Sequence, residues 1–150
     1  MIPVLPLTPE RFAPYGSVAQ PPGSPPTAQG DAFRYWSDVA RYAVEGETEV
    51  GYCIVTRQPT PAVDWVERHD RTPEVLVPID RAVVLPVLGE GALEAFRVEP
   101  GEVVVIDAGV WHSACHPADG DAATYLVLFR RGTPAQDVTM RDLDPTPLSL

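Results

Sequence analysis

Glu67, His69 and Glu74 lie within eight residues of one another in the stretch VERHDRTPEVLVP, residues 66–78. The chain has three histidines, and the other two, His112 and His116, both fall in PGEVVVIDAGVWHSACH, residues 100–116. A hydrophobic strand gains nothing from such groups unless they are paired or used, because burying an unpartnered charge is costly. Imidazoles beside carboxylates suit a divalent ion such as Mn, Fe, Ni or Zn, whereas calcium takes oxygen ligands. The same two group types can take and return a proton, so a metal-free acid/base centre is the other reading.

Both segments read as extended chain, and strand parity turns them into geometry. In AVDWVERH, Val63, Trp65, Glu67 and His69 share one face while Asp64, Val66 and Arg68 share the other. The Val-Trp face is expected to point inward. Glu67 and His69 then stand about 6.6 Å apart at roughly 3.3 Å per residue, near enough to bind one ion. His112 and His116 also share a face, but about 13 Å apart by the same rise, so they share an ion only if a bulge or turn intervenes. His116 is therefore expected to be a hydrogen-bonded core histidine. Cys115 points away from both on the same parity, which favours a packed thiol over a nucleophile. Glu74 has two readings: a ligand, or the solvated edge of a strand opened by Pro73.

The elements that must position these groups are short. Strands are expected at FRYWSDV, TEVGYCIVTR, AVDWVERH, EVLVPI, AVVLPVL, ALEAFRV, EVVVI, VWHSACH and ATYLVLFRR, most of them separated by Gly, Pro or Asp. One short N-terminal helix is expected in LTPERFAPYG, capped by Thr8 with Pro9 in its first turn. QPPGSPPTAQG, residues 20–30, is a loop by composition. Eighteen prolines in 150 residues disfavour long helices. Many closely spaced strands point to an all-β sandwich or barrel. The expectation is a single domain over residues 1–150, with 133–150 as a C-terminal arm.

Charge bounds the partners. All eleven basic residues are arginine, against 21 acidic ones, a net charge of −10. That balance repels phosphate backbones and anionic lipid, which argues against nucleic acid or a membrane surface as partner. It leaves room for a small anionic substrate, because an ion or an arginine can reverse the field inside a pocket. No segment has the roughly 20 apolar residues of a membrane helix. MIPVLPL lacks the basic start of a secretory signal, so the chain is expected to be cytoplasmic. Two cysteines without CxxC spacing are expected to be reduced thiols.

The spacing of Gly101, Asp107, Gly109, His112 and His116 resembles the second cupin motif, G-x5-P-x-G-x2-H-x3-N, with Asp107 in the proline position and His116 in the asparagine position. The other segment resembles the first cupin motif, with Glu67 and His69 in the two histidine positions and Glu74 in the glutamate position. A closer likeness lies within that superfamily. VLPLTPERFAPYGSV, ERH followed by TPEVLVPI, GVWH, and the strand ending at Arg131-Gly132 look like the ureidoglycolate lyase family, in the same order from Val4 to about Gly132. Three positions depart from it: Glu74 where glutamine is typical, Ser113 where a second histidine often follows, and Tyr125 where an acidic residue is expected.

The resemblance implies a cupin double-stranded β-helix, a jelly-roll barrel, that forms a homodimer. It implies cleavage of ureidoglycolate to glyoxylate and urea, a carbon–nitrogen lyase step of allantoin degradation in purine metabolism. It carries His69, Glu74 and His112 over as the metal or substrate centre, with Glu67 a fourth ligand or the acid/base. An arginine is expected to grip the substrate carboxylate. Two rival readings stay open: another metal-dependent small-molecule cupin enzyme (an isomerase, dehydratase or dioxygenase), or a non-catalytic cupin that binds a ligand.

Overall fold

The computed structural model describes residues 1–150. Along the chain run β1 (Val4–Pro6), α1 (Pro9–Phe12), β2 (Gly16–Ala19), a hairpin of β3 (Ala28–Gln29) and β4 (Arg34–Tyr35), β5 (Thr48–Thr56), β6 (Ala62–Arg68) and β7 (Glu74–Pro78). There follow β8 (Val83–Leu88), β9 (Leu93–Val98), β10 (Val103–Ile106), β11 (Trp111–His112), β12 (His116–Pro117), β13 (Ala122–Arg130), α2 (Thr133–Gln136) and β14 (Thr139–Pro147). One sheet has the order β1-β9-β8-β11-β6-β14, with β12 also on β8; the other has the order β2-β10-β7-β13-β5. This is the expected all-β architecture, two sheets packed face to face.

Local chemistry sets the start of α1. Thr8 Oγ1 accepts the Arg11 N–H at 3.1 Å and Pro9 opens α1, as a capped helix start requires. In β5 exposure alternates residue by residue, the pattern of a strand with one face on a core. The hydroxyl and ring of Tyr15 stand against Gly89, where any β-carbon would come within 2.8 Å of the phenol oxygen.

Two cores result. The inner cluster, between the sheets, gathers Phe12, Leu76, Leu85, Phe96, Val104, Ile106 and their neighbours. A smaller outer cluster buries the far face of the larger sheet under the chain ends: Ile2, Val63, Val66, Val84, Ala95 and Leu148. Val63 therefore leaves the inner face assigned to it by parity and joins Val66. The register of β6 against β14 shifts between Asp142 and Thr146, opposite Trp65 and Val63, which is where strict alternation breaks.

Two further expectations change. VWHSACH is two short strands, with Ser113 to Cys115 between them outside any strand. The stretch from Thr133, expected as an arm, turns through α2 and returns as β14, antiparallel to β6 with Thr139 opposite Arg68 and Met140 opposite Glu67.

Candidate active site

β6 and β11 are adjacent and antiparallel, with Glu67 directly opposite His112. His69 follows the end of β6, and its carbonyl accepts the Gly109 N–H at 2.7 Å, which fastens the first histidine segment to the second. Glu74 opens β7 on the facing sheet. The barrel thus brings all four candidate side chains to one place from two sheets.

Each imidazole is oriented from behind. His69 Nδ1 lies 2.8 Å from the Asp137 carbonyl oxygen, and His112 Nδ1 lies 2.9 Å from that of Val110. A carbonyl only accepts, so both rings carry hydrogen on Nδ1 and turn Nε2 toward the cavity. Both Nε2 atoms are buried without a hydrogen-bond partner. The ring centroids are 5.2 Å apart, and Phe129 packs edge-on against His69 at 5.5 Å.

Two carboxylates face those nitrogens. Glu74 Oε2 is 2.9 Å from His112 Nε2, outside hydrogen-bond geometry, and Oε1 is 3.9 Å from His69 Nε2. Glu67 Oε1 is 4.0 Å from His112 Nε2. Donor atoms of Glu67, His69 and His112 all lie within 4.8 Å of one another, so this cluster could hold a metal ion. Glu67 forms no ion pair with its chain neighbours Arg68 and Arg71: Arg68 lies over the Trp111 ring at 4.7 Å and 3.2 Å from Asp70.

Burial alone would raise the Glu74 pKa, but the His112 and His69 imidazoles outweigh it and hold the carboxyl below its ordinary value. For His112 burial works downward, and the Glu74 charge overcomes it to leave the imidazole above its ordinary value. Glu74 is thus a buried carboxylate facing two imidazoles, and the strand-edge reading of it fails: the residue is 8% exposed.

The cavity measures about 490 Å³. Leu76, Val127 and Phe129 give it an apolar floor, while Tyr52, Val138 and Met140 stand at its exposed rim. No arginine lines it, which corrects the expectation of an arginine fork for the substrate carboxylate. Within one chain, the lining residues able to carry positive charge are His69 and His112.

Ser113 and Ala114 form a wall shared with a second cavity, also about 490 Å³, that contains Asp64 and His116. His116 is therefore half-buried beside a separate hollow, neither a core histidine nor part of the His69 and His112 cluster. Cys115 is the packed thiol expected of it, although it faces the inner core; burial raises its pKa well above the ordinary value, with the Glu74 charge adding to the effect. Tyr125 also sits in the inner core, its hydroxyl accepting the Cys115 N–H at 3.3 Å, and burial pushes its phenol upward. Asp137, which supplies the carbonyl behind His69, has no signature in the polar run TPAQDVT; only the return of β14 brings it there.

Residues 1–148 match the family profile described as ureidoglycolate lyase. The chain is 30% identical over 138 residues to the ureidoglycolate lyase of Rhodobacter capsulatus, covering 85% of this chain and 84% of that one. It is 29% identical over 144 residues to ureidoglycolate lyase 2 of Rhizobium meliloti, covering 88% and 87%. Among solved structures, peruvianin-I, a cysteine peptidase from Thevetia peruviana latex, superposes with a TM-score of 0.50 at 13% identity, over 65% of this chain and 57% of that one. At that identity the likeness is one of fold alone.

Proposed function

Because the chain belongs to the ureidoglycolate lyase family, we propose that it cleaves ureidoglycolate to glyoxylate and urea at the centre formed by Glu67, His69, Glu74 and His112. The observation that carries this reading is the pair of buried Nε2 atoms facing two carboxylates, the nearest oxygen 2.9 Å from His112 Nε2. A divalent ion fits that set: two neutral imidazole nitrogens fixed by carbonyls behind them, and carboxylate oxygens in front. His69, Glu74 and His112 would hold it, with Glu67, whose donor atom lies with those of the two histidines within 4.8 Å, near enough to be a fourth ligand, and Mn, Fe, Ni or Zn suits the donors. Such an ion would supply Lewis acidity that lowers the pKa of a coordinated hydroxyl.

The protein's own groups do the rest. Glu67, one-quarter exposed on its side chain and within the donor cluster, takes the proton from the substrate hydroxyl. As the carbon–oxygen double bond of glyoxylate forms, the carbon–nitrogen bond breaks and its electron pair stays on nitrogen. The proton held by Glu67 passes to that nitrogen, which leaves as urea; both sites sit on one carbon, so one carboxylate can serve both. Phe129, Leu76 and Val127 exclude water and strengthen the charge interactions around the reacting carbon.

A second reading has one observation in its favour. With two carboxylates and no arginine, the cavity has no fixed partner for a substrate carboxylate, which suits another metal-dependent cupin enzyme acting on a less anionic molecule. Metal analysis of the purified protein, then assays for urea and glyoxylate, separates the two. Glyoxylate and urea in equal amounts support the lyase; a tightly held ion with neither product supports the rival. A folded protein with neither metal nor turnover leaves the non-catalytic ligand binder.

The working unit we propose is a cytoplasmic homodimer. Val50, Tyr52 and Ile54 stand 64%, 76% and 70% exposed on the outer face of β5, an edge strand. In register beside them, Leu128 and Leu126 of β13 extend the apolar face to Val75 and Val77 of β7. Two copies carrying ten negative charges each can approach most easily through a face without charge. A Tyr52→Glu chain that sediments with the same mass as the parent would remove this face from the interface.

A further inference from the structure

We infer that Asp137 is the positioning residue of the site: its three hydrogen bonds to residues 69–71 set the tautomer and aim of His69. The inference rests on the reading that His69 works through Nε2. Asp137 accepts the His69 Nδ1–H on its backbone oxygen at 2.8 Å. Its side-chain oxygens divide between the next two residues, Oδ1 accepting the Asp70 N–H at 3.0 Å and Oδ2 the Arg71 N–H at 2.9 Å. One residue from the far end of the chain therefore binds three consecutive residues at the point where β6 gives way to the turn leading to Glu74.

The arrangement couples main chain and side chain. The carboxylate, held on both oxygens by the N–H groups of Asp70 and Arg71, keeps Asp137 against residues 69–71 and so keeps its carbonyl behind His69. Asp137 is itself anchored, its N–H donating to the Thr133 oxygen at 2.9 Å where α2 ends. Without the carboxylate, residues 69–71 lose two charge-assisted bonds and the carbonyl is free to rotate. His69 would then exchange its Nδ1–H for Nε2–H, and an Nε2 carrying hydrogen has no lone pair for a cation. A group behind a metal-binding histidine is typically worth about 10 to 100-fold in metal affinity.

The test compares Asp137→Ala, Asp137→Asn and a control far from the site. Asparagine keeps one acceptor and replaces the other with a donor, so it should restore part of what alanine loses. Glu102→Ala is the control, since Glu102 also accepts two bonds, from the Glu99 N–H at 2.8 Å and from Gln20 Nε2 at 2.9 Å, away from His69. Imidazole nitrogen NMR of the metal-free proteins reads the tautomer, and titration with zinc or cobalt reads affinity. The expected result is a single Nδ1–H form of His69 in the parent and in Glu102→Ala, and a mixture in Asp137→Ala. Zinc or cobalt affinity should fall about 10 to 100-fold in Asp137→Ala, less in Asp137→Asn, and stay put in Glu102→Ala. A pure Nδ1–H His69 in Asp137→Ala, or an equal affinity loss in Glu102→Ala, would overturn the assignment. If the parent takes up neither ion, the metal reading is what fails, and the tautomer measurement alone then decides for or against Asp137.

Discussion

His112 and His116 lie four residues apart in one segment, yet their surroundings differ in every respect that matters for chemistry. His112 is 3% exposed, oriented through Nδ1 by the Val110 carbonyl, and set against two carboxylates. His116 is half-buried beside an open hollow, and burial lowers its pKa with only partial opposition from the Asp64 charge. Burial pushes both imidazoles in the same direction; in His112 the neighbouring Glu74 reverses the outcome. A histidine is made into a ligand or a proton carrier by the groups before and behind its ring, not by its place in a motif.

Replacing His112 with alanine should widen the contrast most. Product formation should drop to background, and metal content should fall with it, while circular dichroism still reports a folded barrel. A folded His112→Ala protein with parental turnover would remove the site altogether. Next in size come the two carboxylates, which ought to separate. Glu74→Ala removes the carboxylate that faces both Nε2 atoms and should lose metal and activity together. Glu67→Gln should retain metal yet lose about 10²–10⁴-fold in kcat, the usual range for a positioned acid/base group. Equal metal loss in both would make Glu67 a ligand of the same standing as Glu74.

A smaller effect is a dependence on pH with opposite signs in the two forms of the protein. In the metal-free chain His112 has a raised pKa, so its pairing with Glu74 stabilises the fold fully below about pH 6.5 and is lost as pH rises through the folded value. Metal requires the neutral ring, so affinity should climb over that same interval, with a proton released on binding. Melting temperature and zinc affinity measured from pH 5.5 to 8.5 should therefore run in opposite directions, and His112→Ala should flatten both. Parallel trends would mean that His112 binds no proton in exchange for metal.

The barrel was legible because its strands are short, apolar and punctuated, and α1 because Thr8 and Pro9 mark its start. Glu67, His69 and His112 converge as their types and alternation indicated. Parity failed where the chain departs from regular strand: Val63 moved to the outer cluster next to a register shift, and the break at Ser113 to Cys115 separates His116 from His112. β14 was illegible for a different reason. TMRDLDPTP is polar and carries two prolines, and such a strand is specified by its pairing with β6 and not by any pattern of its own. Asp137 inherits that illegibility, and so does the exposed rim formed by Val138 and Met140. The missing arginine could not be foreseen because a pocket lining depends on how distant strands meet.

The smallest effect is the most pointed test of the contrast. His116→Ala removes an imidazole from the same segment, in the position where the cupin motif carries asparagine, but it touches neither Nε2 of the cluster nor the carbonyls behind them. Turnover and metal affinity should stay within about twofold of the parent, because sites without shared partners act nearly independently. Stability should change only in its pH dependence. The lowered pKa of His116 means its neutral form is favoured in the folded chain, so its contribution is present above about pH 6.5 and fades as pH falls through the folded value. His116→Ala should therefore resist mild acid slightly better than the parent. A tenfold loss of turnover at neutral pH would mean that the hollow behind Ser113 and the cavity in front of it work as one site, and the distinction between the two histidines would collapse.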